Sequence, residues 1–411
     1  MAKLNPLSGS SQRLGTCLLS LLVALSLCDC GKVASPNTGV STDPTGPVSA
    51  LGNEVAPPAP ADPVLVAEGL VGQTRARLES LSRDPEFNGY ADFEQLTQRK
   101  DGLLNSRPPK QGSLAPALIQ AFQGDQARPP LSPLGRDLQL VIKAINRPAL
   151  SAPVDYAADG TLVISKETEF LKIVTALNLL AESQGSSLKP ELRLEASFFL
   201  LKTARHIANG ATTPEHYIAG LKLENTSLAL LRGMLGSIPF DQGSLRDMIA
   251  GVQSRPSNSL ECLGVIDIQY LRDVSLLATE KLEAQARTQR AGELASAYLQ
   301  SREQVLQSQT SPQGNSPSDG PSASSPPQRV IELEMVKETT TFKSAVELLA
   351  ALEVYKLVNG SYPKALSQLV PSVLTRVPPD LLDPSGQFTY RLDGQKVSLS
   401  SALTGSNPRR W

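Results

Sequence analysis

Apolar residues recur with a helical period through the middle of the chain. Phe170, Ile173, Val174, Leu177 and Leu180 fall at i, i+3, i+4, i+7 and i+10, one stripe of an amphipathic helix. Thr168 or Ser165 can cap it, and Gly185 lies beyond its end. Pro190 opens a second helix at a first-turn position, where its missing N–H has no intrahelical partner to lose. That helix carries Leu194, Phe198, Leu201, Ala204 and Ile207 and stops at Asn209-Gly210. Thr212, Thr213 and Pro214 start a third, with Ile218, Leu221, Leu228, Leu231 and Leu235 on its face. Residues 244–252 predict a short fourth. Residues 263–309 predict one or two long helices, the later part rich in Ala, Glu, Gln and Arg and therefore solvent-exposed. Short connections make neighbours antiparallel, so 166–309 reads as a helical bundle or a stack of helical hairpins.

Upstream, the pattern is interrupted by Pro108-Pro109, Pro116, Pro129-Pro130, Pro133 and Pro148. It supports helices over 64–81, 92–104, 114–122 and 134–145, and one isolated strand at 161–165. Downstream, Phe342, Ala345, Val346, Leu349, Leu352 and Tyr355 predict an amphipathic helix ending at Asn359-Gly360, where glycine accepts the left-handed closing conformation. Leu366, Leu369 and Val370 give a short second helix, and 387–391 with 396–399 read as a hairpin around Asp393-Gly394.

Two stretches lack the large apolar groups needed to offset the entropy of ordering them: 31–63 and 310–328, the latter TSPQGNSPSDGPSASSPPQ. They divide the chain into an N-terminal address at 1–30, a tether at 31–63, a helical domain at 64–309, a linker at 310–328 and a terminal α+β module at 329–411. In the first segment, Lys3 and Arg13 precede the apolar run 14–27 and then Cys28-Asp29-Cys30. The run is too short for the roughly 30 Å hydrocarbon core, so it reads as an export signal. A cysteine just beyond it is similar to a bacterial lipoprotein signal, which implies acylation of Cys28 or alternatively Cys30; ordinary cleavage or a short uncleaved anchor are the other readings. The expected location is the membrane-anchored face of a bacterial cell envelope.

The charge balance, 39 Lys and Arg against 40 Asp and Glu, excludes the concentrated basic surface of a nucleic-acid binder. With Cys17, Cys28 and Cys30 in or beside the signal, only Cys262 belongs to the folded part, where it reads as a small apolar helix residue and leaves no disulfide framework. The only histidines, His206 and His216, read as core or surface residues. Pairs such as Glu280/Glu283 and Glu332/Glu334 read as solvated helix faces. No phosphate-loop, dinucleotide, zinc-protease or serine-hydrolase motif is present in the sequence. The expectation is a protein without cofactor or metal and without a catalytic site; the alternative is an exported enzyme or small-ligand binder with its site in 64–309.

The run ALEVYKLVNGSYPKALSQLVP followed by VPPDLLDPSGQFTYRLDG resembles the globular part of the major pseudopilin of type II secretion systems. Tyr355, Gly360, Tyr362, Pro363, Leu366, Leu369, Pro379, Asp383, Pro384, Gly386 and Tyr390 carry the resemblance. It implies a helix with a small sheet, a role in touching other envelope proteins, and Tyr362, Pro363, Asp383, Pro384 and Tyr390 as candidate docking residues. More loosely, the whole chain resembles large exported bacterial proteins of unknown role that end in this module. Unlike the pseudopilins, it carries the module behind a polar linker more than three hundred residues into the chain. After Asp393 the sequence VSLSSALTGSNPRRW offers no carboxylate, so a calcium site of the family's kind is not expected. The closing Arg409-Arg410-Trp411 reads as a terminus outside the fold or a docking tail.

Overall fold

The structure, a computed structural model, describes residues 62–83, 86–99, 102–104, 113–123, 131–159, 161–183, 190–235, 237–253, 259–310, 333–383, 385–394, 396–401 and 409–410. The expected signal, most of the expected tether and all but the first residue of the expected linker lie outside them, as do Cys28, Cys30 and Pro384. The described chain is mainly helical, with a two-stranded and a three-stranded antiparallel sheet. No described helix is long and apolar enough to cross a membrane.

The first half contributes to two apolar clusters, one running from Tyr90 to Leu223 and one that joins Ala67, Leu78, Val154 and Leu162 to Ile268 and Tyr298. Helices α1 (Pro63–Leu70) and α2 (Gly72–Arg83) replace the single helix expected over 64–81. Gly69 and Gly72 flank the break, and glycine is a poor interior helix residue. α3 (Tyr90–Gln98) ends earlier than expected because Arg99 turns extended and pairs with Asp137, which also accepts from the Leu103 N–H. α4 (Leu114–Gln123) follows, then α5 (Pro133–Ile145), capped by the Ser132 hydroxyl, which accepts from the Gly135 N–H at 3.0 Å. The strand expected at 161–165 is β2 (Leu162–Ile164), and it is not isolated: β1 (Val154–Tyr156) pairs with it, Asp155 opposite Val163. Three residues after a proline give too short an alternation to read from sequence.

The entry to α6 (Glu167–Glu182) differs from expectation. Neither Thr168 nor Ser165 caps it; Lys166 occupies that position with φ 57°. Ser165 is engaged elsewhere, its N–H donating to the Pro153 carbonyl at 2.9 Å and its hydroxyl to Asp155 at 3.2 Å, while the Lys166 ammonium pairs with Glu94. The hairpin thus holds the residue that local propensity assigns to the helix. Phe170, Ile173, Val174, Leu177 and Leu180 are all buried, packed with Phe93, Leu138 and Phe199.

α7 (Pro190–Asn209) and α8 (Pro214–Met234) form an antiparallel hairpin. A Cβ on Gly220 would sit 2.9 Å from the Ala208 backbone nitrogen, so glycine is required where the two helices cross closest. Deeper in the same pair, the Arg205 Nε donates to Glu224 at 2.9 Å, with both side chains nearly sealed from solvent. Its two Nη groups donate at 2.8 Å to the carbonyls of Gly251 and Val252 at the end of α9 (Gln242–Gln253). One guanidinium therefore joins three helices and caps the negative end of the third.

α10 (Ser259–Thr279) and α11 (Ala284–Thr310) divide the long stretch, breaking at 280–283. The first two turns of α11 are exposed as expected, whereas Ala295, Tyr298 and Val305 are buried. Tyr298 donates at 2.8 Å to Asp267, which also accepts from Thr74 at 2.7 Å and pairs with Arg302, tying α2, α10 and α11 together.

α12 (Leu333–Asn359) begins well before Phe342 and is not the one-faced helix that periodicity predicts: every residue from 341 to 348 is buried. Phe342, Val346, Leu352, Leu369 and Leu399 share a single apolar cluster with Leu201 of α7, Leu231 of α8 and Met248 of α9. The segment 342–399, the main part of the terminal module expected at 329–411, has its core in common with the upstream helices. The short second helix is a 3₁₀ turn, Leu366–Leu369. The hairpin is present as β3 (Thr389–Asp393) and β4 (Lys396–Ser401), with Gly394 at φ 59° in the turn. Arg409–Arg410 is not outside the fold; it forms β5, with Ser401 opposite Arg409.

Arg205→Ala leaves Glu224 buried and uncompensated, a loss of about 3–5 kcal/mol. The exposed pair Arg75–Glu68 contributes under about 1 kcal/mol. Urea unfolding of Arg205→Ala and Arg75→Ala, side by side, measures the contrast.

Candidate functional site

The end of α12 and the strands beyond it bring three of the expected docking residues together. Gly360, at φ 74°, closes the helix, its N–H donating to the Lys356 carbonyl at 2.8 Å. The chain then turns through Tyr362 and Pro363. The Tyr362 hydroxyl donates to Glu353 at 2.5 Å, and the Lys356 ammonium lies 4.6 Å from the centre of the same ring. Burial and the Glu353 carboxylate both push the Tyr362 phenol above its ordinary range. From β3, the Tyr390 hydroxyl donates at 2.7 Å to the carbonyl of the buried Pro363. This bond ties the sheet to the helix-terminal turn across 27 residues of sequence.

Asp383 lies in a separate loop. Its carboxylate accepts from the Ser385 N–H at 2.7 Å and hydroxyl at 2.6 Å, and its carbonyl accepts from Gly386, whose φ of 69° favours glycine. Asp383 is buried, so it shapes the loop from within. Sequence reasoning missed its neighbour Asp380, which is fully buried. Asp380 accepts from the Leu382 N–H at 2.9 Å, and Thr341 of α12 reaches the same loop by accepting from the Leu381 N–H at 3.1 Å. Burial pushes the Asp380 carboxyl up, with the charge of Asp383 adding to the shift. Glu353, Lys356 and Thr341 were also missed: nothing in their local spacing distinguishes them from ordinary helix residues.

Exposed side chains rim this corner, among them Lys364, Gln368 and Gln387. Such an edge presents polar groups from a fixed backbone and suits contact with another protein. Among the described residues, no group of three or more His, Cys, Asp or Glu is placed to hold a metal ion.

Two other reactive side chains among the described residues, Cys262 and His216, are enclosed. Cys262 on α10 is fully buried among Tyr217, Leu221 and Val265, and burial pushes its thiol up to about 12. His216, in the first turn of α8, is fully buried, its ring centre 4.6 Å from that of Phe170 and its Nδ1 3.2 Å from the Thr212 hydroxyl. Burial pulls its pKa down to about 4, against opposing effects of the Glu167 backbone and the Glu215 charge.

No family model, no curated protein and no solved structure matches the chain.

Tyr390→Phe deletes the bond to Pro363 with little change of shape and lowers stability by about 1 kcal/mol, leaving a buried carbonyl unpaired. Chemical denaturation of the variant measures it. His216 binds its proton more weakly in the folded chain than in the unfolded chain. As pH falls from about 6.5 to about 4, the unfolded state takes up that proton first and stability drops, by at most about 3 kcal/mol. Above pH 7 the group contributes no slope. The stability difference between the natural chain and His216→Gln, followed from pH 7.5 to 4.5, isolates this contribution.

Proposed function

We propose that this is an exported, membrane-anchored, non-enzymatic interaction or scaffold protein of the bacterial cell envelope, associated with type II secretion or pilus-like machinery. Cys28, or alternatively Cys30, carries the lipid, and 31–63 tethers the folded part to the bilayer. The C-terminal segment acts as a pseudopilin-like module whose turn-and-hairpin edge docks on other envelope proteins. One observation carries the reading: the order helix, Tyr-Pro turn, Asp-x-x-Asp loop and hairpin is drawn into one unit by the Tyr390–Pro363 bond. Docking uses the exposed rim of that unit, since Pro363 and Asp383 themselves are buried and hold the backbone in place.

Removal of the whole segment would open the core shared with α8 and α9, so surface substitutions make the cleaner test. Lys364→Glu combined with Gln387→Glu leaves the fold unchanged by circular dichroism and removes a defined subset of the envelope proteins that cross-link to the natural chain. An identical cross-linked set from both proteins contradicts docking at this edge.

A further inference from the structure

Helix α1 is apolar on both faces. Val64, Ala67 and Val71 turn inward onto α10 and α11, while Leu65, Val66, Gly69 and Leu70, at i, i+1, i+4 and i+5, cover the outward arc. Leu65 is 72 % exposed, and Val66 and Leu70 are 39 % exposed each. The one charged residue of the helix, Glu68, is turned aside by its 2.9 Å pair with Arg75. A short helix with leucine and valine on its solvent side implies a second apolar medium against that side.

We propose that the outward face of α1 lies in the headgroup region of the bilayer that anchors the chain. This inference rests on the anchored reading given above. The position of the helix in the chain supports it: α1 begins where the tether expected at 31–63 runs out, and the Asp62 carboxylate caps it by accepting from the Val64 N–H at 2.9 Å. α1 is thus the first described element after the anchor. A tether of this length holds the face at an effective concentration of about a millimolar or more, so a patch too small to bind free vesicles suffices.

Two other occupants fit less well. Three aliphatic side chains fall far short of the roughly 800 Å² per partner that a stable dimer buries. The apolar run 14–27 of the same chain has many more apolar groups than this face can cover, whereas a bilayer accommodates the run and the face together.

The test uses the full chain reconstituted in phosphatidylethanolamine–phosphatidylglycerol vesicles, with its single tryptophan removed by Trp411→Phe and a reporter introduced by Leu65→Trp. A second protein carries Leu179→Trp instead, on α6, where the natural leucine is 55 % exposed. Both should float with the vesicles. The reporter at position 65 shifts to the blue, and its emission is roughly halved by lipids brominated near the headgroup, the expected depth of an interfacial helix. The reporter at 179 is unaffected. Flotation with equal behaviour at the two positions overturns the inference and leaves anchoring intact. Failure to float overturns both. A reporter at 65 already shielded from aqueous quencher before lipid is added also overturns the inference. Shielding that is independent of protein concentration assigns the face to the chain's own N-terminal segment; shielding that grows with concentration assigns it to a second copy.

Discussion

A helix packed on one side leaves a polar face in water; over residues 341–348, α12 has no such face. α8 and α9 close one part of its circumference, and the turn and sheet that follow it close another. Each buried Val, Leu or Phe there contributes about 1.5–3 kcal/mol relative to exposure, a large share of the marginal stability of any domain. The helix therefore cannot leave this position without exposing two sets of partners at once. Its small residues, Ala345, Ala350 and Ala351, are fully buried and allow close approach. Two of its buried polar residues are matched across helices: Thr339 accepts from Asn225 at 3.0 Å, and Glu347 from Gln253 at 2.8 Å. Burial pushes the Glu347 carboxyl up, which reflects how little water reaches it.

The same economy governs the polar groups elsewhere in the interior. Arg205 joins α7, α8 and the end of α9, and Asp267 joins α2, α10 and α11. Asp137 holds the chain after α3 against α5. Each charge is buried with partners from other segments of the chain, so these groups fix the relative placement of elements that apolar packing alone would leave freer to slide. In the proposed function they supply a rigid support from which the Tyr362–Pro363–Tyr390 corner is presented.

Strong local periodicity was legible. Pro190, Pro214 and Asn209-Gly210 punctuate α7 and α8 where their backbone preferences demand, and Thr213 caps α8 by accepting from the His216 N–H at 3.2 Å. Gly360 takes the left-handed conformation expected of it, whereas the hairpin turn falls one residue later than the expected Asp393-Gly394, because Asp393 pairs with Lys396. What escaped the reading depends on distant contacts. Ser165 could not be seen to prefer Pro153 and Asp155 over capping α6. β1 and β5, at three and two residues, carry no period of their own and exist only through their partners. The burial of Lys343, Ser344 and Glu347 hides the fate of α12, because their polarity marks an outer face that the fold does not leave open. At the candidate site, Tyr362, Pro363 and Tyr390 were named through a family resemblance, and the fold brings the three together. Glu353 and Asp380 were not named, since their importance lies in what they reach.

The central claim is that the C-terminal segment and the upstream helices form one cooperative structure. Native-state hydrogen exchange resolved by residue tests it directly. The account predicts that amides of α12 between 342 and 352 open with the same free energy as those in the middle of α7 and α8, and with the same denaturant dependence. Exchange of α12 through a separate opening, several kcal/mol easier and leaving α7 and α8 protected, would contradict it.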